Sequence, residues 1–484
     1  MTAACATLAR VTDVRPPTAP RAADAGPSFA AEELATVTGG QLLSRSDRPV
    51  RGAAVDSRLV RPGQLFVALP GERTDGHRFL ADAAAAGAAA LLVTVPPGDP
   101  AALGDVTILA VPDALAALHA IAAAWRSRFS PLVVGVTGSI AKTSTKEAVA
   151  AVLSRRFETL RSEGNQNNEI GLPLTVLGLG PEHAAAVLEM GMYVGGEIAA
   201  LAKIARPAIG VVTAVQPVHL SRIGTIEAVE QAKGELVEAL PRTGTAVLNA
   251  DDERVRRMAA RTAARALTYG FAADADVGAE DVASAGADGM RFTLRVPAGR
   301  RPVAVPVLGR LGIHNGLAAA AVGVAAGLSL DEIEAGLGTG WSAPHRTTLI
   351  RSGGVTIVDD SYNASPGSMI AALDVLAGLP GRRVAVLGEM LELGDVHVRG
   401  HRRVGEAAAA AAELLVVVGD GASGIAEGAL AAGMESGAIV RAATRDDAFE
   451  ALRPRLRTGD VVLVKASRGV ALDVLVADLR EALA

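Results

Sequence analysis

The stretch that decides the fold is GVTGSIAKTSTKE, Gly135 to Glu147. The apolar segment Pro131–Val134 precedes it, and Ala148–Leu153, a helical pattern rich in Ala and Val, follows. Strand, glycine-bearing turn, lysine, hydroxyl and helix, in that order, make a phosphate cradle. Backbone N–H groups of such a turn, with the positive end of the helix behind them, surround phosphate oxygens. Gly138, Ser139 and Ala141 form the turn, and Lys142 is placed to meet a transferred phosphoryl group. Thr143, followed by Ser144, offers a hydroxyl for Mg²⁺. One position departs from the usual loop: glycine normally stands directly before the lysine, and here Ala141 does. Its Cβ makes a positive φ costly. A Gly/Ser turn that merely precedes a lysine is the competing reading of this run alone.

The rest of the chain suits such a loop. Its 484 residues suggest roughly three domains. Half are hydrophobic but only 3% aromatic, so cores must be built from Ala, Val, Leu and Ile. With 53 glycines, that composition favours α/β layers with buried parallel strands. A net charge of −5 argues against a protein dominated by nucleic-acid phosphate contacts. The single cysteine, Cys5, permits neither an intrachain disulfide nor a thiolate metal cluster. The Ala-rich run Ala83–Val95 is too short for a membrane span and is broken by Gly87. The N-terminus lacks a continuous apolar signal core, so a cytoplasmic enzyme is the expectation.

Residues 1–28 have no lasting period and read as a disordered tail. A small α/β unit is expected over 29–129, with a helix at Phe29–Val37, a strand in Gln64–Leu69, a helix at Arg78–Ala89 and a strand at Ala90–Val93. Strands and helices alternate through a second unit, 130–344. The polar–apolar alternation of Thr268–Val305 predicts antiparallel strands there, before a helix at Asn315–Ala326. A third unit, 345–484, resumes the strand–helix alternation, with a strand in Thr356–Val358 and a last helix near Ala471–Ala482.

Polar side chains recur where the strands should end, which is where open α/β sheets gather ligands. Glu189 closes AVLEMGM and offers a hard oxygen ligand for Mg²⁺, or merely a solvated carboxylate. His219 in TAVQPVHLSRIG is a ligand candidate or a hydrogen-bonded structural histidine. Lys233 in QAKGEL, taken alone, reads as a solvated lysine. The loop SEGNQNNEIGLP carries Asn165 and Asn168, whose amides suit sugars and phosphates, or simple turns. Asp359 and Asp360 end a strand before SYNASPGSM, where Asp360 could hold ribose hydroxyls or cap the next helix. Arg346 stands at the joint between the second and third units. It could reach a phosphate across a cleft or form an interdomain ion pair.

Together the segments TGSIAKTSTKE, GNQNNEIGLP, LEMGM, PVHLSRIG, AKGEL, LNADD, HN, DDSYNASPGSM, LGEMLELG and HRRVG occur in an order similar to that of the Mur ligases. The segment Val55–Phe79 resembles the uridine-nucleotide recognition unit of that family. The likeness runs from about residue 30 to the end. It implies three domains: a small α/β uridine-nucleotide domain, a central P-loop ATPase-like, mostly parallel sheet, and a C-terminal Rossmann-like domain. It implies ATP-driven amide formation on a UDP-linked peptide. The pair DDSYNASPGSM and GEMLELG points to the member that joins D-alanyl-D-alanine to UDP-N-acetylmuramoyl-tripeptide. On that resemblance Lys142 and Thr143 meet ATP and Mg²⁺, Glu189 and His219 hold a second Mg²⁺, and Lys233 is the lysine carbamylated in most of the family. Asn315 and Asp360 fall at ATP-binding positions, Arg346 near the γ-phosphate, and Ser57 and Arg58 in the uridine-nucleotide segment. Asn165, Asn168 and Asn363 are expected near the substrate. Two positions depart from the family pattern, Ala141 and Ala318. A monomer is expected. The same motifs would serve a relative that adds one amino acid or polyglutamate, or a nucleotide-binding relative impaired by Ala141.

Overall fold

The computed structural model describes residues 26–71, 74–217 and 220–484. Most of the expected tail lies outside these. Its last three residues are held in place: Gly26 O and Pro27 O accept from the Arg51 guanidinium, and Ser28 O accepts from Arg128. The fold is mixed α/β and is built on three sheets.

The first sheet has five strands, in the order Gln41–Ser44, Thr107–Ala110, Ala90–Val93, Leu65–Val67, Ala53–Ala54. All pair parallel except Gln41–Ser44, which runs antiparallel to Thr107–Ala110. The helix Ala114–Arg126 follows, started by Asp113 Oδ1, which accepts from the N–H groups of Leu115 and Ala116. Its apolar face joins this unit to the next. Trp125 packs in one cluster with Leu172, Val176 and Leu201, its indole N–H donates to Leu179 O at 2.9 Å, and Arg126 donates to Ala205 O.

The second sheet has nine strands. Five pair parallel in a row from one edge: Thr159–Arg161, Ala185–Glu189, Leu132–Thr137, Ile209–Val212 and Thr245–Asn249. Leu132–Thr137 and Ala185–Glu189 are almost wholly buried, as parallel strands covered on both faces must be. Beyond them Val277–Ser284, Met290–Val296 and Gly299–Val305 pair antiparallel, as their alternation predicts. Arg265–Gly270, whose last three residues open the stretch expected to be antiparallel, is parallel to Thr245–Asn249. The helix Glu253–Arg257 between these two strands provides a crossover, which returns the chain in the same direction.

The third sheet orders Thr348–Ser352, Val355–Asp359, Val461–Lys465, Arg383–Gly388, Leu414–Val418 and Ile439–Ala442, parallel except at the first strand. Separate apolar clusters cover its two faces. The strands Leu132–Thr137, Ala185–Glu189, Val355–Asp359 and Val461–Lys465 lead into the cavity described next. Among the described residues no helix is long and apolar enough to cross a membrane.

Candidate active site

A cavity of about 830 Å³ is lined by all three units. The first contributes His119, the second the phosphate turn with Glu189, Lys233 and Asn315, and the third Arg346, Asp360, Tyr362 and Lys465.

The turn is shaped by close packing against the neighbouring strand end. Gly138 has φ 151°, and a Cβ there would sit 1.8 Å from Thr213 Oγ1 and 3.0 Å from the Ala214 amide, so only glycine fits. Thr213 Oγ1 donates to Ile140 O at 2.6 Å. Ser139 N donates to Ala214 O, and Ser139 Oγ is bonded to the backbone of Gln216, so this hydroxyl shapes the turn. Ala141 adopts φ 64°, left-handed, immediately before the helix Lys142–Leu153. A left-handed conformation that favours glycine is therefore adopted here with a Cβ present. Lys142 Nζ donates to Gly138 O at 2.7 Å, which folds the side chain back over the turn. Burial lowers its pKa, Glu189 opposes that, and Arg346 adds to it. Thr143 is buried at the same helix end. Thr145 Oγ1 donates to Asn315 Oδ1 at 3.2 Å, which fixes the amide of Asn315 at the cavity wall.

Glu189 ends its strand almost completely buried. Its Oε1 accepts from Asn167 Nδ2 at 2.7 Å, and its Oε2 is buried with no hydrogen-bond partner. An orphaned carboxylate oxygen beside Lys142 fits a hard cation. Among the described residues no group of three His, Cys, Asp or Glu could hold a metal unaided. A cation here would need further ligands, for which the Thr143 hydroxyl, ligand phosphates and Lys233 are at hand. Lys233, on the helix Ile226–Glu238, is buried rather than solvated. Burial pushes its pKa well down, and the Lys142 charge adds to this. A buried, readily deprotonated amine is the form that carbamylation requires. His219 lies outside the described residues.

In the third unit Asp360 Oδ2 pairs with Lys465 Nζ at 2.6 Å, and its Oδ1 accepts from Thr347 N at 3.1 Å. Lys465 also donates to Asn363 O, and Asn363 Oδ1 accepts from Ala364 N. The neighbouring Asp359 is spent on structure, accepting from Ser361 and holding the His345 ring at 2.8 Å. Arg346 stacks over the Tyr362 ring, 4.2 Å from its centroid. It is flanked by two left-handed residues, His345 at φ 59° and Thr347 at φ 53°.

Not every expected site residue reaches the cavity. Asn165 and Asn168 line it, although Asn168 Oδ1 also accepts from Gly171 N at the start of the helix Gly171–Val176. Ser57 and Arg58 lie in a short turn of the first unit, outside the lining. There Arg58 grips Asp56 and pulls that carboxyl down to about 2. Ala318 is fully buried in its helix. Four residues escaped sequence reasoning, His119 of the first unit among them. Asn167 was passed over between its two neighbours, Tyr362 within its motif, and Lys465 at the end of an otherwise apolar strand. A lone charge closing such a strand was the available signal.

Known proteins share this arrangement. Residues 136–323 match the Mur ligase middle domain, residues 345–468 the Mur ligase glutamate ligase domain, and residues 49–126 the Mur ligase family catalytic domain. The chain is 40% identical to the UDP-N-acetylmuramoyl-tripeptide–D-alanyl-D-alanine ligase of Mycobacterium tuberculosis, with 92% of this chain and 97% of that protein covered. It is 38% identical to that ligase of Escherichia coli, with 94% and 99% covered. The crystal structure of MurF from Acinetobacter baumannii superposes with a TM-score of 0.85 at 30% identity, covering 94% of this chain and 99% of the other. MurF of Thermotoga maritima, solved in complex with ADP, gives 0.79 at 29% identity, covering 90% and 98%. A phosphate turn, a carboxylate with an open oxygen and a cavity closed by three units define an ATP-dependent ligase that makes amide bonds. The chain belongs to the Mur ligase family.

Proposed function

We propose that the protein joins D-alanyl-D-alanine to UDP-N-acetylmuramoyl-tripeptide at the expense of ATP, a step in making peptidoglycan precursors, and acts in the cytoplasm as a monomer. The observation that carries this reading is the convergence of Lys142, Glu189, Lys233, Asn315, Arg346 and Asp360 on one cavity in a chain similar, over nearly its whole length, to ligases of that name.

Charge dictates the order of events. A peptide carboxylate is a poor electrophile, so its oxygen first attacks the γ-phosphate of ATP and ADP leaves. Lys142 and Arg346 offset the charge spread over the transferring oxygens. Thr143, Glu189, His219 and a carbamylated Lys233 would hold Mg²⁺, which supplies further neutralisation of the phosphate oxygens. Asn315 and Asp360 would orient the nucleotide. Asn165, Asn168 and Asn363 would orient the acyl end, and Ser57 and Arg58 would meet the uridine nucleotide in the first unit. The dipeptide amine then attacks the acyl phosphate carbonyl, the amide forms, and phosphate departs. Water must stay out meanwhile, because it would hydrolyse the acyl phosphate.

The test is phosphate release by the purified protein with ATP and Mg²⁺. Release should need both the UDP-tripeptide and D-alanyl-D-alanine. Release that instead needs a single amino acid, such as a diamino acid or glutamate, overturns the substrate assignment.

A further inference from the structure

Lys146 is a fully buried cation on the phosphate-turn helix, and nothing in the chemistry above uses it. It lies one turn beyond Lys142 on the same face. Its Nζ donates to Ser162 O at 2.5 Å and to Gly164 O at 3.1 Å, and pairs with Glu147 Oε1 at 3.0 Å. Two carbonyls accept from the ammonium, and the Glu147 carboxylate beside it balances its charge. Glu147 Oε2 in turn pairs with Arg161 at 2.9 Å.

A buried ammonium is a poor device for stability alone, because its desolvation offsets most of what the pairing returns. What this one grips is informative. The two carbonyls open the Asn-rich loop that lines the cavity. Within that segment Ser162 Oγ accepts from Glu189 N at 3.2 Å, and Asn167 holds the Glu189 carboxylate. Asn167 O accepts from Gly191 N at 2.8 Å. On the other side Glu169 O meets the His119 ring at 2.6 Å, and His119 belongs to the first unit. The loop therefore bridges the unit expected to take the nucleotide sugar and the carboxylate at the reaction centre.

We propose that Lys146 is a positioning residue for the UDP-linked substrate: by holding the carbonyls of Ser162 and Gly164 it sets the Asn-rich loop between His119 and Glu189, where the peptide end of that substrate enters the cavity. This rests on the activity proposed above. The turn at 138–143 is fixed by Thr213 and by the Ala214–Gln216 backbone, so the phosphate turn keeps its shape without this grip.

The experiment compares wild type, Lys146→Met and Lys146→Arg. Calorimetry gives the Kd of the UDP-tripeptide without ATP, and steady-state assays give the three KM values and kcat. Lys146→Met should raise the Kd and KM of the UDP-tripeptide about tenfold, while the KM values of ATP and the dipeptide stay within about twofold. Lys146→Arg keeps a cationic donor but displaces it, and should show the same selective pattern to a smaller degree. It carries the test if the Met variant does not fold. An unchanged Kd for the UDP-tripeptide, or an equal loss for all three substrates, overturns the proposal. Wild type that makes no product from these substrates removes the underlying reading, and the inference with it.

Discussion

At the scale of single residues, two positions set stability against activity. Ala141 holds φ 64° with a Cβ, a conformation that costs a non-glycine residue about 1–2 kcal/mol. Glycine would relieve this but leaves a looser unfolded chain, so Ala141→Gly should stabilise by about 1 kcal/mol. Turnover should change little, because the turn already has the conformation glycine would give it. Calorimetric melting and kcat check both points; a lower melting temperature, or activity appearing only in the variant, would count against them. Lys233 works in the opposite direction. Its pKa in the fold is well below that of the unfolded chain, so the unfolded state binds the extra proton. Its burial therefore destabilises the uncarbamylated protein at neutral pH, and that cost shrinks as pH rises toward the unfolded lysine value, near 10.5. Lys233→Met should accordingly melt higher than wild type at pH 7 in CO₂-free buffer, with the difference narrowing at alkaline pH, and should make no product. Lys233→Ala should regain some activity with added short carboxylates if a carbamate is what the site uses. A Met variant that melts lower at pH 7 would show that the amine is stabilising.

At the scale of elements, the sequence was most legible where apolar runs end in a polar residue. Ala90–Val93, which runs into Thr94, and Val355–Asp359 stand out because both faces of each strand are buried. Helix starts were less legible. The phosphate-turn helix begins at Lys142, six residues before its apolar pattern, because its first turn is made of hydroxyls and lysines that serve the site and the loop. The helix expected at Asn315 begins at Gly309 for a similar reason, since polar and glycine positions blur its period. Arg265–Gly270 was misread because alternation along one strand does not report its neighbour's direction. Element ends also explain Lys465, which ties the end of its strand to the loop before the helix Pro366–Ala377 through Asp360 and Asn363. Removing one partner of a buried pair leaves the other charge uncompensated, so Lys465→Met should destabilise by about 3 kcal/mol. Adding Asp360→Asn should restore most of that stability without restoring the KM of ATP. Urea denaturation with parallel kinetics separates the two effects. If the double variant recovers both, Asp360 acts only as a structural partner.

At the scale of the whole molecule, what the sequence withheld was distance. It offered the strand ends one by one, yet nothing periodic says that His119, in the first unit, touches the loop beside Glu189. Nor does it say that Arg346 shares a cavity with Lys142, more than two hundred positions earlier. Arg346 lies where the chain passes from the second sheet to the third, in a turn held by Tyr362 N to His345 O and by Thr347 N to Asp360. The left-handed residues on either side are a strain that the surroundings must hold, and such strain concentrates at working joints. The guanidinium is held over the Tyr362 ring and is close enough to Lys142 to depress that lysine's pKa. Two cations facing one cavity repel each other until an anion lies between them, so the pair is suited to the phosphoryl group in transfer, whose charge is spread over its equatorial oxygens as its bonds loosen. Arg346→Lys keeps the charge but loses the planar stacking and the forked donors. It should lower kcat by about 100-fold and shift the KM of ATP by less than about threefold, because the contribution is made in the transition state. Steady-state kinetics with all three substrates is the measurement. An intact kcat with a raised KM for ATP would instead make Arg346 a ground-state clamp on the nucleotide, and the coupling of the third unit to phosphoryl transfer would have to come from another residue.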